Sequence, residues 1–217
     1  PNLSAFWGST DAFRGNGTAL LVGGGIAPPE ISTGIEYGVK MDSVYHFTGT
    51  VSFFDINVTN RLQDDPNNVG FKRIRPPLNN EGWEASLAWD YEGLTIMTGY
   101  YSGKLIDKDS GLRPDVEPDQ TFNLAARYKF AEDSSLSGLS FGGGTNWVGE
   151  ALTDGGSRTL GSYQTVDVFA TYKWDKWKAQ LNGSNILDEN FTYRYARVGL
   201  VLPAQGARWA LSLTRSF

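Results

Sequence analysis

Cysteine is absent from this sequence, and histidine occurs once, at His46. The first absence excludes a disulfide framework and any thiolate metal site. The second excludes a histidine-cluster metal site within the chain. Positive charge is also in deficit: 19 Lys and Arg stand against 24 Asp and Glu, a net charge of -5 with both signs mixed along the chain. A nucleic-acid footprint would need a basic patch, and none is present. No apolar run approaches the roughly 18–20 residues of a transmembrane helix. The mean hydropathy of -0.33 would suit a soluble protein. A transmembrane β-barrel has the same unremarkable average, because its strands alternate lipid-facing and lumen-facing residues. The chain starts at Pro1 with neither an initiating Met nor a signal peptide, and reads as a mature product or a fragment.

Catalytic signatures are missing as well. No Ser, His and Asp are spaced as a nucleophile elbow and its partners. The paired carboxylates Asp64-Asp65 and Asp188-Glu189 fall in loops. The triplets Gly23-Gly24-Gly25 and Gly142-Gly143-Gly144 lack the Lys-Ser/Thr and the helix of a phosphate loop, so they read as loop and close strand packing. The chain is expected not to be an enzyme and to need no cofactor.

What is present is alternation. Val166, Val168, Ala170, Tyr172 and Trp174 share one face, while Thr165, Asp167, Phe169, Thr171 and Lys173 take the other. After Asp175-Lys176 the pattern resumes with Trp177, Ala179 and Leu181 against Lys178, Gln180 and Asn182. That is an amphipathic hairpin. The same period of two predicts about ten strands, near 2–13, 32–42, 45–60, 80–91, 94–103, 119–130, 137–149, 162–174, 177–188 and 207–217, and no helix. At Phe53-Phe54 the apolar parity switches, which implies a bulge or a strand buried on both faces. Strands of about 10–15 residues exceed the usual 5–6 and suit tilted strands that need about 9–11 residues in hydrocarbon.

The connections alternate in length. Long loops are expected at 14–31, 61–79, 104–118, 150–161 and 189–206, and short turns at Ser43-Val44, Glu92-Gly93, Ala131–Leu136 and Asp175-Lys176. Up-and-down outer-membrane barrels have short periplasmic turns and long extracellular loops. A soluble β-sandwich has no reason to keep this parity, though it stays open as an alternative. Trp174 and Trp177 flank a short turn on the apolar face, and Tyr91 and Phe130 lie at other short-turn ends. All four are expected in a periplasmic membrane girdle.

Two further features have ordinary explanations. The acidic loop Asp107–Gly111, followed by Asp115, Glu117 and Asp119, offers oxygen ligands of the kind calcium takes, without EF-hand spacing. The sequons at Asn16, Asn57, Asn182 and Asn190 include two inside expected strands, which argues against glycosylation.

In order along the chain, "PPEISTGIEYGVK", "FNLAARYKF", "LSGLSFGGGTNWVGE", "GSYQTVDVFATYKW", "KAQLNGSNILDENF" and "ARWALSLTRSF" resemble the C-terminal end of a TonB-dependent siderophore receptor over roughly 28–217. The terminal Phe217 resembles the signal read by the barrel-assembly machinery, while Arg215 departs from the apolar parity of Trp209 to Leu213. The resemblance implies an all-β, antiparallel up-and-down barrel segment in the outer membrane of a Gram-negative bacterium. A whole receptor of this type has about 22 strands around a plug, and this chain corresponds to the C-terminal part without the plug. The implied partners are a ferric siderophore as transported ligand, outer-membrane lipid and lipopolysaccharide, and the TonB energy-transducing complex acting through the plug; nucleic acid is not among them. A self-contained small barrel, structural or a diffusion pore, is the other membrane reading. For an anionic, aromatic iron chelate, loop aromatics and arginines are the candidate ligand-binding residues: Phe191, Tyr193, Arg194, Tyr195 and Arg197, with Phe71, Lys72, Arg73 and Arg75 in a second cluster.

Overall fold

The computed structural model describes residues 2–114, 117–153, 158–197 and 200–217, the side chains of 192–202 excepted. Among the described residues every helix or strand element is a strand. In chain order they are β1 (Leu3–Arg14), β2 (Glu30–Val44), β3 (Phe47–Thr59), β4 (Leu62–Asp64), β5 (Lys72–Ile74), β6 (Leu78–Tyr91), β7 (Leu94–Asp107) and β8 (Gln120–Lys129). The second half adds β9 (Leu139–Val148), β10 (Ala151–Thr153), β11 (Arg158–Leu160), β12 (Tyr163–Trp174), β13 (Trp177–Ser184), β14 (Thr192–Arg197), β15 (Leu200–Pro203) and β16 (Arg208–Arg215). Ten of these form one antiparallel sheet in the order β1-β2-β3-β6-β7-β8-β9-β12-β13-β16. The other six form three hairpins, β4–β5, β10–β11 and β14–β15, each inside a long loop. The sheet is not closed: β1 and β16 are its two edges.

The ten long strands correspond one for one to those expected from alternation. The three loop hairpins do not, because strands of three to six residues are too short to show a period. β13 also stops at Ser184 rather than near 188. Asn185 and Asp188 take left-handed φ of 48° and 53° and turn the chain away. The first short turn is centred on Tyr45-His46, φ 48° and 69°, two residues later than Ser43-Val44.

Register carries each face across the sheet. Trp7, Tyr37, Phe53 and Trp83 are successive partners in one row, and Phe6, Gly38, Ser52, Glu84, Tyr101 and Thr121 in the adjacent row on the other face. The apolar face is bare. Trp7 is 69% exposed, Leu211 76% and Leu181 40%, and the only buried apolar side chains among the described residues are Ala27, Leu78 and Ala151. A β-sandwich would bury this face under a second sheet about 10 Å away. Among the described residues none is there, so the sandwich reading is overturned.

No bulge occurs at Phe53-Phe54. The pairing of β3 with β6 is continuous from Phe47 to Val58. Aromatics simply occupy both faces: Phe53 stacks on Tyr37 at 5.5 Å on the apolar side, and Phe54 on Tyr101 at 5.9 Å on the polar side. The irregularity on β3 lies instead in its pairing with β2, between Met41 and Val44, where Ser43 has φ 52°.

Glycines make room for the rings of the polar face. A Cβ on Gly38 would lie 2.9 Å from Phe6, one on Gly82 2.9 Å from Phe54, and one on Gly142 2.9 Å from Phe169. Each ring therefore lies flat over a neighbouring strand rather than projecting. All three added Cβ atoms would also meet a cross-strand backbone oxygen, and Gly82 is the tightest, with its Cβ closest of all to the Ser102 oxygen and 2.6 Å from Gly103 Cα. Gly82→Ala should destabilise the barrel by about 1–3 kcal/mol through overpacking, read as a lower denaturant midpoint. A midpoint equal to wild type would contradict this packing.

Candidate functional site

The candidate site has three parts: the polar face, the loop roots at its long-loop end and the aromatic residues at its short-turn end. On the polar face, shallow cavities open between strands. One of about 240 Å³ is lined by Thr50, Glu84, Ser86, Tyr101, Thr121 and Asn123 among others. Another of about 370 Å³ includes Asn123, Asn146, Asp167, Phe169, Asn182 and Ser184. These are hydrogen-bonding surfaces without a titratable cluster. Asp107 uses its carboxylate in its own turn, accepting the N–H groups of Asp109 and Ser110 at 3.1 Å each. Among the described residues no three acidic or histidine side chains converge as a metal site; Asp115 lies outside them.

The root of the 189–206 loop is built from the segment "SNILDENF". Asn185 is 6% exposed. Its Nδ2 donates to the carbonyls of Glu189 (3.0 Å) and Gln205 (3.2 Å), its Oδ1 accepts the Glu189 N–H (3.0 Å), and its own N–H donates to Asp167 Oδ1 (2.8 Å). Asp188 Oδ1 accepts the Ala207 N–H at 2.8 Å. One buried amide thus joins both ends of the loop and anchors them to the polar face of β12. Short polar side chains that satisfy local backbone groups in left-handed turns favour Asn and Asp at these two positions.

Of the candidate ligand residues on this loop, Phe191 packs on Tyr163 at the start of β12, ring centroids 3.7 Å apart and 11° from parallel. Tyr193, Arg194, Tyr195 and Arg197 lie in β14, and their side chains fall outside the described residues. The second cluster lies on β5 and the residues that flank it, Phe71 before and Arg75 after. Lys72 pairs with Asp64 at 2.5 Å. The loop of residues 15–29 docks on this hairpin through Lys72 N–H to Leu20 O (2.8 Å) and Val22 N–H to Lys72 O (3.2 Å). At the hairpin tip Asp65 accepts from the Asn68 amide and from the N–H groups of Asn67 and Asn68. Those bonds, the Asn68 side chain first, hold its carboxyl below the ordinary value.

At the short-turn end the rings form clusters on the apolar face, some stacked and some edge-on. Trp174 stacks with Trp177 (6.5 Å) and with Tyr172 (5.5 Å). Tyr91 meets Trp89 (5.9 Å) and His46 (5.1 Å), and Phe130 meets Tyr128 (5.0 Å) and Phe141 (6.1 Å). Trp89, Tyr128, Phe141 and Tyr172 follow the apolar alternation in the sequence but were not placed in the girdle; cross-strand register brings them into it. Phe217 lies two residues beyond β16. The Arg215 guanidinium sits 5.3 Å from the Phe217 ring centre and 5.4 Å from that of Trp177. This cation–π packing accounts for a cation at an otherwise apolar parity.

Comparison with known proteins now places the architecture. A family model described as "TonB dependent receptor-like, beta-barrel" matches residues 1–186. No curated protein matches the sequence. Among solved structures, the pyoverdine outer membrane receptor FpvA of Pseudomonas aeruginosa PAO1, bound to pyoverdine, superposes with a TM-score of 0.83 at 22% identity, over 99% of this chain and 34% of that one. The ferric-catecholate import receptor Fiu of E. coli K12 gives 0.80 at 19% identity, over 100% and 33%. The siderophore receptor PiuA of Acinetobacter baumannii gives 0.77 at 20%, over 98% and 33%. The chain thus spans about a third of the length of these receptors.

Asn185→Ala should leave the wall assembled and release both ends of the 189–206 loop. Faster amide exchange is expected at Glu189 and Ala207, with no change in β12; protection retained at both positions would show that the amide does not hold the loop. Members of this family are receptors rather than enzymes, and by the match over residues 1–186 this chain belongs to the TonB-dependent receptor β-barrel family.

Proposed function

We propose that the chain forms the C-terminal part of the barrel of a ferric-siderophore receptor in the outer membrane of a Gram-negative bacterium. The observation that carries this reading is the single-layer wall, with one face apolar and exposed and stacked aromatic rings at its short-turn end. In hydrocarbon, backbone groups must be paired within the protein, and a β-barrel wall does so while turning apolar side chains to lipid. Tyr91, Phe130, Trp174 and Trp177 would then sit at the periplasmic headgroup level with Trp89, Tyr128, Phe141 and Tyr172, and Phe217 would serve as the assembly signal. The two sheet edges would pair with the rest of the receptor's wall, around a plug through which the TonB complex acts.

The fold neighbours bind pyoverdine or import ferric catecholates by their own descriptions. A ferric siderophore is the corresponding substrate here. It would approach from the long-loop side, meet the 189–206 loop with Phe191, Tyr193, Arg194, Tyr195 and Arg197, and pass along the polar face. The flat-lying rings and amides of that face can contact a bulky chelate without a metal ligand of the protein's own. Outer-leaflet lipopolysaccharide would surround the upper part of the apolar face.

Two measurements test this reading on the full-length receptor. Leu181→Lys should destabilise the protein in phospholipid vesicles by about 2–4 kcal/mol if placed near the midplane, while Gln180→Lys on the opposite face should have a far smaller effect. Equal effects would refute the assignment of faces. Deleting residues 189–206 should abolish siderophore-dependent iron uptake while the receptor still reaches the membrane; unchanged uptake would remove the loop from ligand binding.

A further inference from the structure

The β4–β5 hairpin sorts the cations of "FKRIRPP" by register. Lys72 faces Asp64 and pairs with it at 2.5 Å. Arg73 faces Gln63, whose amide oxygen, oriented toward it, accepts from the guanidinium. Beyond the last ladder pair, Leu62 with Ile74, the next residues to meet are Arg61 and Arg75, joined by the Arg75 N–H donating to the Arg61 carbonyl at 2.6 Å. Like charges held directly opposite are destabilising. Nη1 of Arg61 is moreover buried with no acceptor.

The neighbouring carboxylates are already engaged. Glu30 accepts from Arg14 at 3.0 Å, and Asp107 is used by its own turn. Burial first, and Arg75 second, push the Arg61 guanidinium below its ordinary value, while Glu30 and Asp107 oppose the shift. Glu30 pairs with Arg14, and Asp107 with the buried Leu78, in rows that belong to the polar face. The two arginines therefore stand at the long-loop mouth of that face.

We propose that Arg61 and Arg75 form an anion-recognition site that takes a carboxylate or phosphate group of a soluble ligand entering the barrel. The inference rests on the receptor reading for its orientation. Two arginines opposite each other at the end of the ladder carry the forked donors that suit such oxyanions, and a bound anion supplies the acceptor that Arg61 Nη1 lacks in the protein. Arg73, already partnered, is not part of the site.

The test uses full-length receptor purified in detergent, titrated with citrate, inorganic phosphate, ferric citrate, a cationic ferric hydroxamate and lipid A vesicles. Arg61→Gln and Arg75→Gln should each weaken citrate and phosphate binding by about tenfold or more, the scale of one charge-assisted hydrogen bond. Arg73→Gln should stay near wild type. The unliganded Arg61→Gln protein should melt no lower than wild type, because a like-charge contact has been removed. Lower melting in step with lost binding would make Arg61 structural and overturn the proposal. Unchanged citrate and phosphate affinity in both variants, or no anion binding by wild type, would overturn it while leaving iron uptake as a separate result. Binding of free anions that depends on the two arginines, with no iron chelate bound, would support the site and remove the receptor reading. Loss confined to lipid A vesicles would assign the arginines to lipid and overturn the soluble ligand.

Discussion

In an antiparallel ladder each pairing step fixes which of two faces a side chain takes, and here that register runs through nine strand junctions with one irregularity beside a turn. A slip of one residue at any junction would carry polar groups such as Glu84 or Asp167 to the apolar face and Trp83 or Val168 to the polar one. The wall has no second layer to correct such a slip. Its specification therefore rests on turn geometry and cross-strand pairs: the left-handed Glu92-Gly93 turn, Asp175 with φ 46°, and stacked rings such as Tyr37 on Phe53.

The same constraint explains the chain's moderate hydropathy. A layer one strand thick has two complete faces and no interior, so half its side chains remain polar while the other half stay apolar. Glycine follows from this as well. On the polar face a large ring either stands up into the open space or lies across a position with no side chain. Gly38, Gly82 and Gly142 allow the second arrangement.

Period two made the ten long strands legible, since each has enough residues to show it. Trp174 and Trp177 could be placed at a turn end for the same reason. What failed to show in the sequence was short or non-periodic. A bulge or a strand buried on both faces was expected at Phe53-Phe54 because two adjacent aromatics look like a parity fault, when both faces simply carry rings and neither ring is buried. The β4–β5 hairpin has three residues a side, too few for a pattern, and so Arg61 was passed over although Arg73 and Arg75 stood out. Only the pairing that brings Arg61 opposite Arg75 makes the first matter. Asn185 looked like part of a strand running to 188 because a side chain that binds its own loop leaves no period behind.

A receptor of this architecture needs loops that can change with the ligand on a wall that cannot. The hydrogen bonds at the loop roots divide the two. Asn16 reaches the carbonyls of Pro28 and Asn60, Asn185 those of Glu189 and Gln205, and Asp188 the N–H of Ala207. Each closes a loop at its base with a short side chain whose reach ends within a turn, so substitution farther out leaves the base unchanged. Function carried on loops over a rigid scaffold is the general pattern. In this chain the wall strands give way to loops at these Asn and Asp residues.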